Sequence, residues 1–64
     1  MQNTSNKIIR MKTVLELTGL SKSTIYTLLS QNDFPKRIPL GPRSIGFLES
    51  EFNQWLEARA ARRS

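Results

Sequence analysis

The four residues Thr18-Gly19-Leu20-Ser21 constrain this chain more than any other feature. Before them, Met11, Val14, Leu15 and Thr18 recur at the i, i+3, i+4, i+7 spacing of one helical face. After them, Ile25, Leu28 and Leu29 make a second apolar stripe. Gly19 can take the left-handed conformation that ends a helix. Ser21 can cap the next helix by accepting a backbone N–H with its side-chain oxygen. Leu20 and Ile25 then flank that cap at the two positions that fix the angle at which the chain joins the helix. The pattern predicts two short helices, about 11–18 and about 22–31, joined by a tight turn. Arg10 is a poor cap for the first of them, so packing rather than intrinsic propensity has to hold it.

The remainder reads as a hairpin and a third helix. Asn32 and Asp33 are turn residues, and Pro35 biases Phe34 towards an extended conformation. Ile38 and Leu40 alternate, as do Ile45 and Phe47, across Gly41-Pro42-Arg43-Ser44. That predicts a β-hairpin over about 37–47, with Lys36 and Arg37 opening its first strand. Pro39 cannot donate to a ladder, which sends its strand to an edge. From about 49 to 62 a helix is predicted in which Phe52, Trp55, Leu56 and Arg59 share a face. Phe52, Trp55 and Leu56 are assigned to the core, while Arg59, Arg62 and Arg63 collect at the end where cations suit the macrodipole. Ile8-Ile9 is too short to be more than a strand-like lead-in. Residues 1–7 are expected to be a flexible start, and 8–64 a single domain. The expected fold class is small α+β, mainly helical: a winged helix-turn-helix.

Composition narrows the chemistry. Among 64 residues there is no Cys and no His. Disulfides, thiolate zinc sites, zinc fingers and Ser-His or Cys-His catalysis are therefore ruled out. The five carboxylates are scattered, so neither an enzyme nor a metal or cofactor site is expected. No apolar run approaches the ~18–20 residues that span a bilayer. The polar residues after Met1 lead into no apolar signal-peptide core, so a cytoplasmic location is expected. Ten Lys and Arg face five Asp and Glu, leaving +5. The excess is one-sided: residues 1–43 carry seven cations and two acids, whereas 44–64 carry three of each. Such a field suits a polyanion.

In a helix-turn-helix the second helix enters the major groove of DNA with its N-terminal residues at the base edges. Lys22, Ser23, Thr24, Tyr26 and Thr27 stand there. Lys22 can meet a phosphate or guanine O6 and N7, and the hydroxyls donate or accept. The Tyr26 ring can contact a thymine methyl. Each residue also has a plainer reading: Ser and Thr as caps, Tyr26 as a half-buried aromatic, Lys22 as a solvated charge. The hairpin adds weight, because Lys36, Arg37 and Arg43 precede any acid before Glu49. A basic wing of this kind contacts backbone or minor groove. The partner expected is double-stranded DNA. A membrane surface is not expected, because the last helix lacks an apolar face opposed to a basic one. If about four phosphates are neutralised, log K should fall against log salt with a slope of roughly −3.6. One small reader contacts few base pairs, so a homodimer, tandem cooperative copies or a partner should supply specificity. A protein-interaction module is the alternative from a different class.

The stretch from Ile8 to Arg59 resembles the AlpA family of small phage and prophage regulators, which belong with the MerR-like winged helices and resemble excisionases. The resemblance rests on L-E-L-T-G-L-S-K-S-T-I-Y at Leu15 to Tyr26, F-P-K-R at Phe34 to Arg37, L-G-P-R-S-I-G-F at Leu40 to Phe47, and E-S-E-F-N-Q-W-L at Glu49 to Leu56. It implies a DNA-binding transcriptional regulator, often of an integrase gene or of prophage excision, or an excisionase that bends DNA. It implies the recognition-helix role for Lys22, Ser23, Thr24, Tyr26 and Thr27, and the wing role for Lys36, Arg37 and Arg43. Two positions depart from the pattern: Phe47 stands where members often have Trp, and Arg10 where related excisionase-type domains favour a capping Thr.

Overall fold

A computed structural model describes residues 7–62. The expected flexible start therefore lies outside the described residues except for Lys7, as does Arg63. The elements run β1 (Ile8–Arg10), α1 (Met11–Thr18), α2 (Lys22–Ser30), β2 (Ile38–Gly41), β3 (Ser44–Leu48) and α3 (Glu49–Ala61). Three helices and one antiparallel sheet of order β1-β3-β2 make an α+β fold.

The turn between α1 and α2 is built as its residues dictate. Gly19 is left-handed at φ 73°, and its N–H donates to the Leu15 carbonyl at 2.8 Å. The Ser21 side chain accepts the Thr24 N–H at 3.2 Å, which caps α2. Arg10 precedes α1 without a side-chain cap. At its other end α2 closes on Asn32, which takes φ 57°. The Asn32 N–H donates to Leu29 and the Asp33 N–H to Leu28, the paired bonds of a Schellman ending. Asn is the side-chain-bearing residue that tolerates this conformation best.

Two features of the sheet differ from the sequence expectation. Ile8–Arg10 is a full edge strand, pairing Ile8 with Leu48, Ile9 with Phe47 and Arg10 with Gly46. Three residues are too few to reveal a strand by alternation, and their partner β3 is separated from them by α1, α2 and β2. Lys36 and Arg37 do not open the hairpin, because β2 begins only at Ile38. Pro39 sits on the β2 edge, and Pro42-Arg43 makes the tight turn into β3. Pro is suited to the first turn position because its φ is preset.

The buried core comprises Ile9, Val14, Ile25, Phe47 and Phe52, one residue from every element except β2, together with Phe34 from the segment after α2. Phe34 is its hub. Its ring lies edge-on to Phe47 with centroids 5.1 Å apart and to Trp55 at 4.7 Å, with Phe52 at 6.2 Å. The Trp55 Nε1–H donates to the Asp33 carbonyl at 2.7 Å. The Asp33 carboxylate pairs with the Arg59 guanidinium, which also covers the Trp55 ring. These contacts tie the segment after α2 to the middle of α3. Leu56 is a correction: it is 39% exposed and lies outside the core, walling a shallow apolar groove with Leu17, Leu20 and Leu28. It shares the face of Phe52 but stands about 100° round the helix from Trp55, on the flank that borders the groove rather than the sheet.

Candidate nucleic-acid interface

Two open clefts meet at Tyr26. The first, about 370 Å³, is walled by Arg10, Met11 and Lys12 from the start of α1, Lys22 and Tyr26 from α2, and Arg43 with Ser44 and Ile45 from the hairpin tip. The second, about 510 Å³, is walled by Tyr26, Leu29 and Ser30 from α2, and by Asn32, Lys36 and Arg37 from the segment that follows. Neither cleft contains an acid. Tyr26 is 41% exposed and forms the rib between them.

Fold and charge are coupled here. Arg10 reaches the first cleft because β1 pairs with β3 and sets Arg10 opposite Gly46, beside Ile45. Arg43 reaches it from the closed end of the hairpin, whereas Lys36 and Arg37 stand at the open end. Those two are held beside α2 by the Phe34, Asp33 and Trp55 contacts. Among the described residues, the side chains of Arg10, Lys12, Lys22, Lys36, Arg37 and Arg43 form no ion pair or hydrogen bond with the rest of the protein. Six cations thus point their full charge at solvent around one exposed aromatic ring.

Of the residues singled out from the sequence, Lys22, Tyr26 and Arg43 converge on one cleft, and Lys36 and Arg37 adjoin Tyr26 on the other. Ser23 and Thr27 are exposed on α2, and the Thr27 hydroxyl donates to the Ser23 carbonyl at 3.0 Å. Its lone pairs stay open to a donor. Thr24 is set apart. It lies two residues beyond Lys22, roughly 200° round the helix, and faces the apolar groove with Leu28 and Leu56. Its hydroxyl is 2.8 Å from the Ser21 Oγ, within the capping cluster.

Sequence reasoning did not single out Arg10 and Lys12, which the structure places in the first cleft. A signal was available. Neither α1 nor α2 has an acid in its first turn, whereas α3 has Glu49 and Glu51. Helix starts favour acids, yet α1 and α2 present Lys12 and Lys22 there.

The chain is similar to known proteins over most of its length. A family model described as "Prophage CP4-57 regulatory protein (AlpA)" matches residues 7–60. The "Uncharacterized protein ORF88" of Enterobacteria phage P4 is 38% identical over 60 residues, covering 94% of this chain and 68% of that protein. The "DNA-binding transcriptional activator AlpA" of Escherichia coli (strain K12) is 36% identical over 59 residues, covering 83% of this chain and 84% of that relative.

Proposed function

The chain belongs to the AlpA family of prophage regulatory proteins, and from that membership we propose that it is a sequence-specific regulator of transcription that binds double-stranded DNA as a winged helix-turn-helix. The observation that carries the reading is the pair of acid-free clefts on either side of Tyr26, with six unpaired cations among their walls. Helix α2 lies in the major groove. Lys22, Ser23, Tyr26 and Thr27 face the base edges, and Thr24 serves mainly the capped start of the helix. Lys36, Arg37 and Arg43 meet phosphates, with Arg43 at the wing tip able to follow the backbone into the minor groove.

The phage and prophage setting of the relatives supports an integrase or excision function as the regulated target. One domain of this size covers few base pairs, so a homodimer or tandem copies binding cooperatively supply the rest of the specificity. No step of this function calls for a catalytic residue, a metal or a cofactor, and its place of action is the cytoplasm.

The test is a binding titration on duplexes of the neighbouring genomic DNA at several salt concentrations. The affinity should fall steeply with salt, with log–log slopes of roughly −3.6 or steeper if four or more phosphates are neutralised. A flat response would overturn the reading. Liposomes of anionic lipid serve as the opposing arm, because co-sedimentation at moderate salt would favour a membrane surface.

A further inference from the structure

We propose that the cleft between the starts of α1 and α2 and the hairpin tip is a phosphate clamp on the DNA backbone, in which Arg10 and Lys12 join Arg43 on the phosphates while Lys22 stands at the cleft's base-facing edge. The inference rests on the DNA-binding reading and extends it to an element outside the recognition helix and the wing.

Three independent features lead to it. The cleft gathers four cations from three separate stretches of chain and contains no acid. Arg10 is held there by main-chain pairing, since its strand partner is Gly46 and the next residue of β3, Ile45, lines the cleft wall. A side chain anchored on a paired strand reaches a phosphate with less loss of freedom than one on a loop. Finally, the charges are set against the local electrostatics of the fold. The start of a helix is its positive end, and both helix starts in the cleft carry cations, Lys12 on α1 and Lys22 on α2, with no acid in either first turn. The third helix, whose start lies away from the cleft, carries Glu49 and Glu51 in the ordinary way. Cations converge here although they repel one another and the two helix ends. An anion seated among them removes that repulsion, and the phosphodiester of duplex DNA is the anion that the neighbouring recognition helix would bring.

The geometry also gives the arrangement a meaning across the duplex. Tyr26 separates this cleft from the one walled by Lys36 and Arg37. With α2 in a major groove, the two clefts receive the two backbones that border it. Arg10 and Lys12 then act on one strand, and Lys36 and Arg37 on the other.

The experiment compares the wild type, R10Q/K12Q and R62Q on one specific and one unrelated duplex across a salt series. Both substituted positions in the double variant are exposed, and circular dichroism with thermal unfolding confirms folding. Because the substitutions relieve repulsion, the double variant should melt no lower than the wild type. Its log–log slope should be shallower by about 1.8, and its affinity at 0.1 M salt lower by roughly 60-fold, for two phosphates at about 0.9 each. The loss should be equal on both duplexes, because phosphate contacts carry no base information. R62Q removes a cation outside both clefts and should leave the slope unchanged. A double variant with the wild-type slope, or an R62Q slope reduced as much per charge as that of R10Q/K12Q, would overturn the clamp. A wild type with no salt dependence would instead overturn DNA binding itself, so the two failures are distinguishable.

Discussion

Gly46→Ala and Gly41→Ala make the same chemical change on neighbouring strands of one hairpin, and the structure gives them opposite signs. A Cβ on Gly46 would lie 2.5 Å from the Ile8 Cγ2, 3.0 Å from the Leu40 Cδ1 and 3.1 Å from the Ile9 carbonyl oxygen. Comfortable carbon contacts begin near ~3.5 Å. Leu40 is 41% exposed and can turn aside. The Ile8 methyl is branched at Cβ and moves only with its χ1 or with the strand itself, and the Ile9 oxygen is main chain. Relief therefore comes by pushing β1 away from β3. Overpacking of this kind costs about 1–3 kcal/mol, against which replacing Gly by Ala returns about 0.4–1 kcal/mol through the unfolded chain. Taken near the middle of both ranges, the net destabilisation is about 1–2 kcal/mol. At about 4–8 °C per kcal/mol for a domain of this length, Tm should fall by roughly 4–16 °C. At Gly41 a Cβ meets nothing within 4 Å, so Gly41→Ala should leave Tm unchanged or raise it slightly.

The assay is thermal unfolding followed by far-ultraviolet circular dichroism, with DNA titration well below both midpoints. Because Arg10 sits opposite Gly46, loosening β1 should also weaken DNA binding in Gly46→Ala and not in Gly41→Ala. Equal midpoints for the two variants would refute the pairing of β1 with β3, and with it the route by which Arg10 enters the cleft.

Phe34→Ala removes the hub of the aromatic cluster and should cost about 3–5 kcal/mol. A domain of this size holds only roughly 3–10 kcal/mol in total, so urea titration should find the variant largely unfolded at 37 °C. Gly19→Ala should lose about 1 kcal/mol, because φ 73° forces an Ala into the left-handed region; its urea midpoint should drop with an unchanged m-value. Lys22→Ala should alter which sequences are preferred in a selection from random duplexes, whereas Arg43→Ala should weaken all of them about equally and leave the preference intact.

The parts of the fold that were legible in the sequence are those set by local chemistry. Gly19 and Ser21 end one helix and begin the next through bonds within four residues, so their identities are sufficient. Pro39 and Pro42 announce an edge and a turn by what they cannot do. The parts that were not legible depend on contacts distant in sequence. Ile8–Arg10 has the apolar residues of a strand, but only Leu48, Phe47 and Gly46 make it one. Phe34 reads as a residue constrained by Pro35, and its burial appears only when α3 supplies Trp55 and Phe52. The site divides in the same way. Lys22, Tyr26 and Arg43 could be named from motif positions. Arg10 and Lys12 lie outside those motif positions: Arg10 joins the cleft through the pairing of β1 with β3, and Lys12 follows it at the start of α1. Thr24 looked equivalent to Thr27 until the helix was seen to turn it towards Leu28 and Leu56.

The division of charge in this chain follows from what each cation touches. Residues 1–43 contain just two acids, Glu16 and Asp33. Asp33 lies three residues before Lys36 and four before Arg37, close enough to blunt the field of the second cleft. It is occupied instead by Arg59, a cation from the neutral third of the chain, held over the Trp55 ring at 5.1 Å. An exposed pair of this kind adds at most about 1 kcal/mol to stability, so stability alone is a weak reason for it. Its larger effect is electrostatic: the Arg59 of α3 offsets the charge of Asp33, an acid close in sequence to Lys36 and Arg37. Glu49 similarly takes Lys7 at 3.7 Å, again away from both clefts. The third helix thus supports the proposed binding surface without being part of it, by packing Phe52 and Trp55 against Phe34 and by pairing Asp33 with its own Arg59.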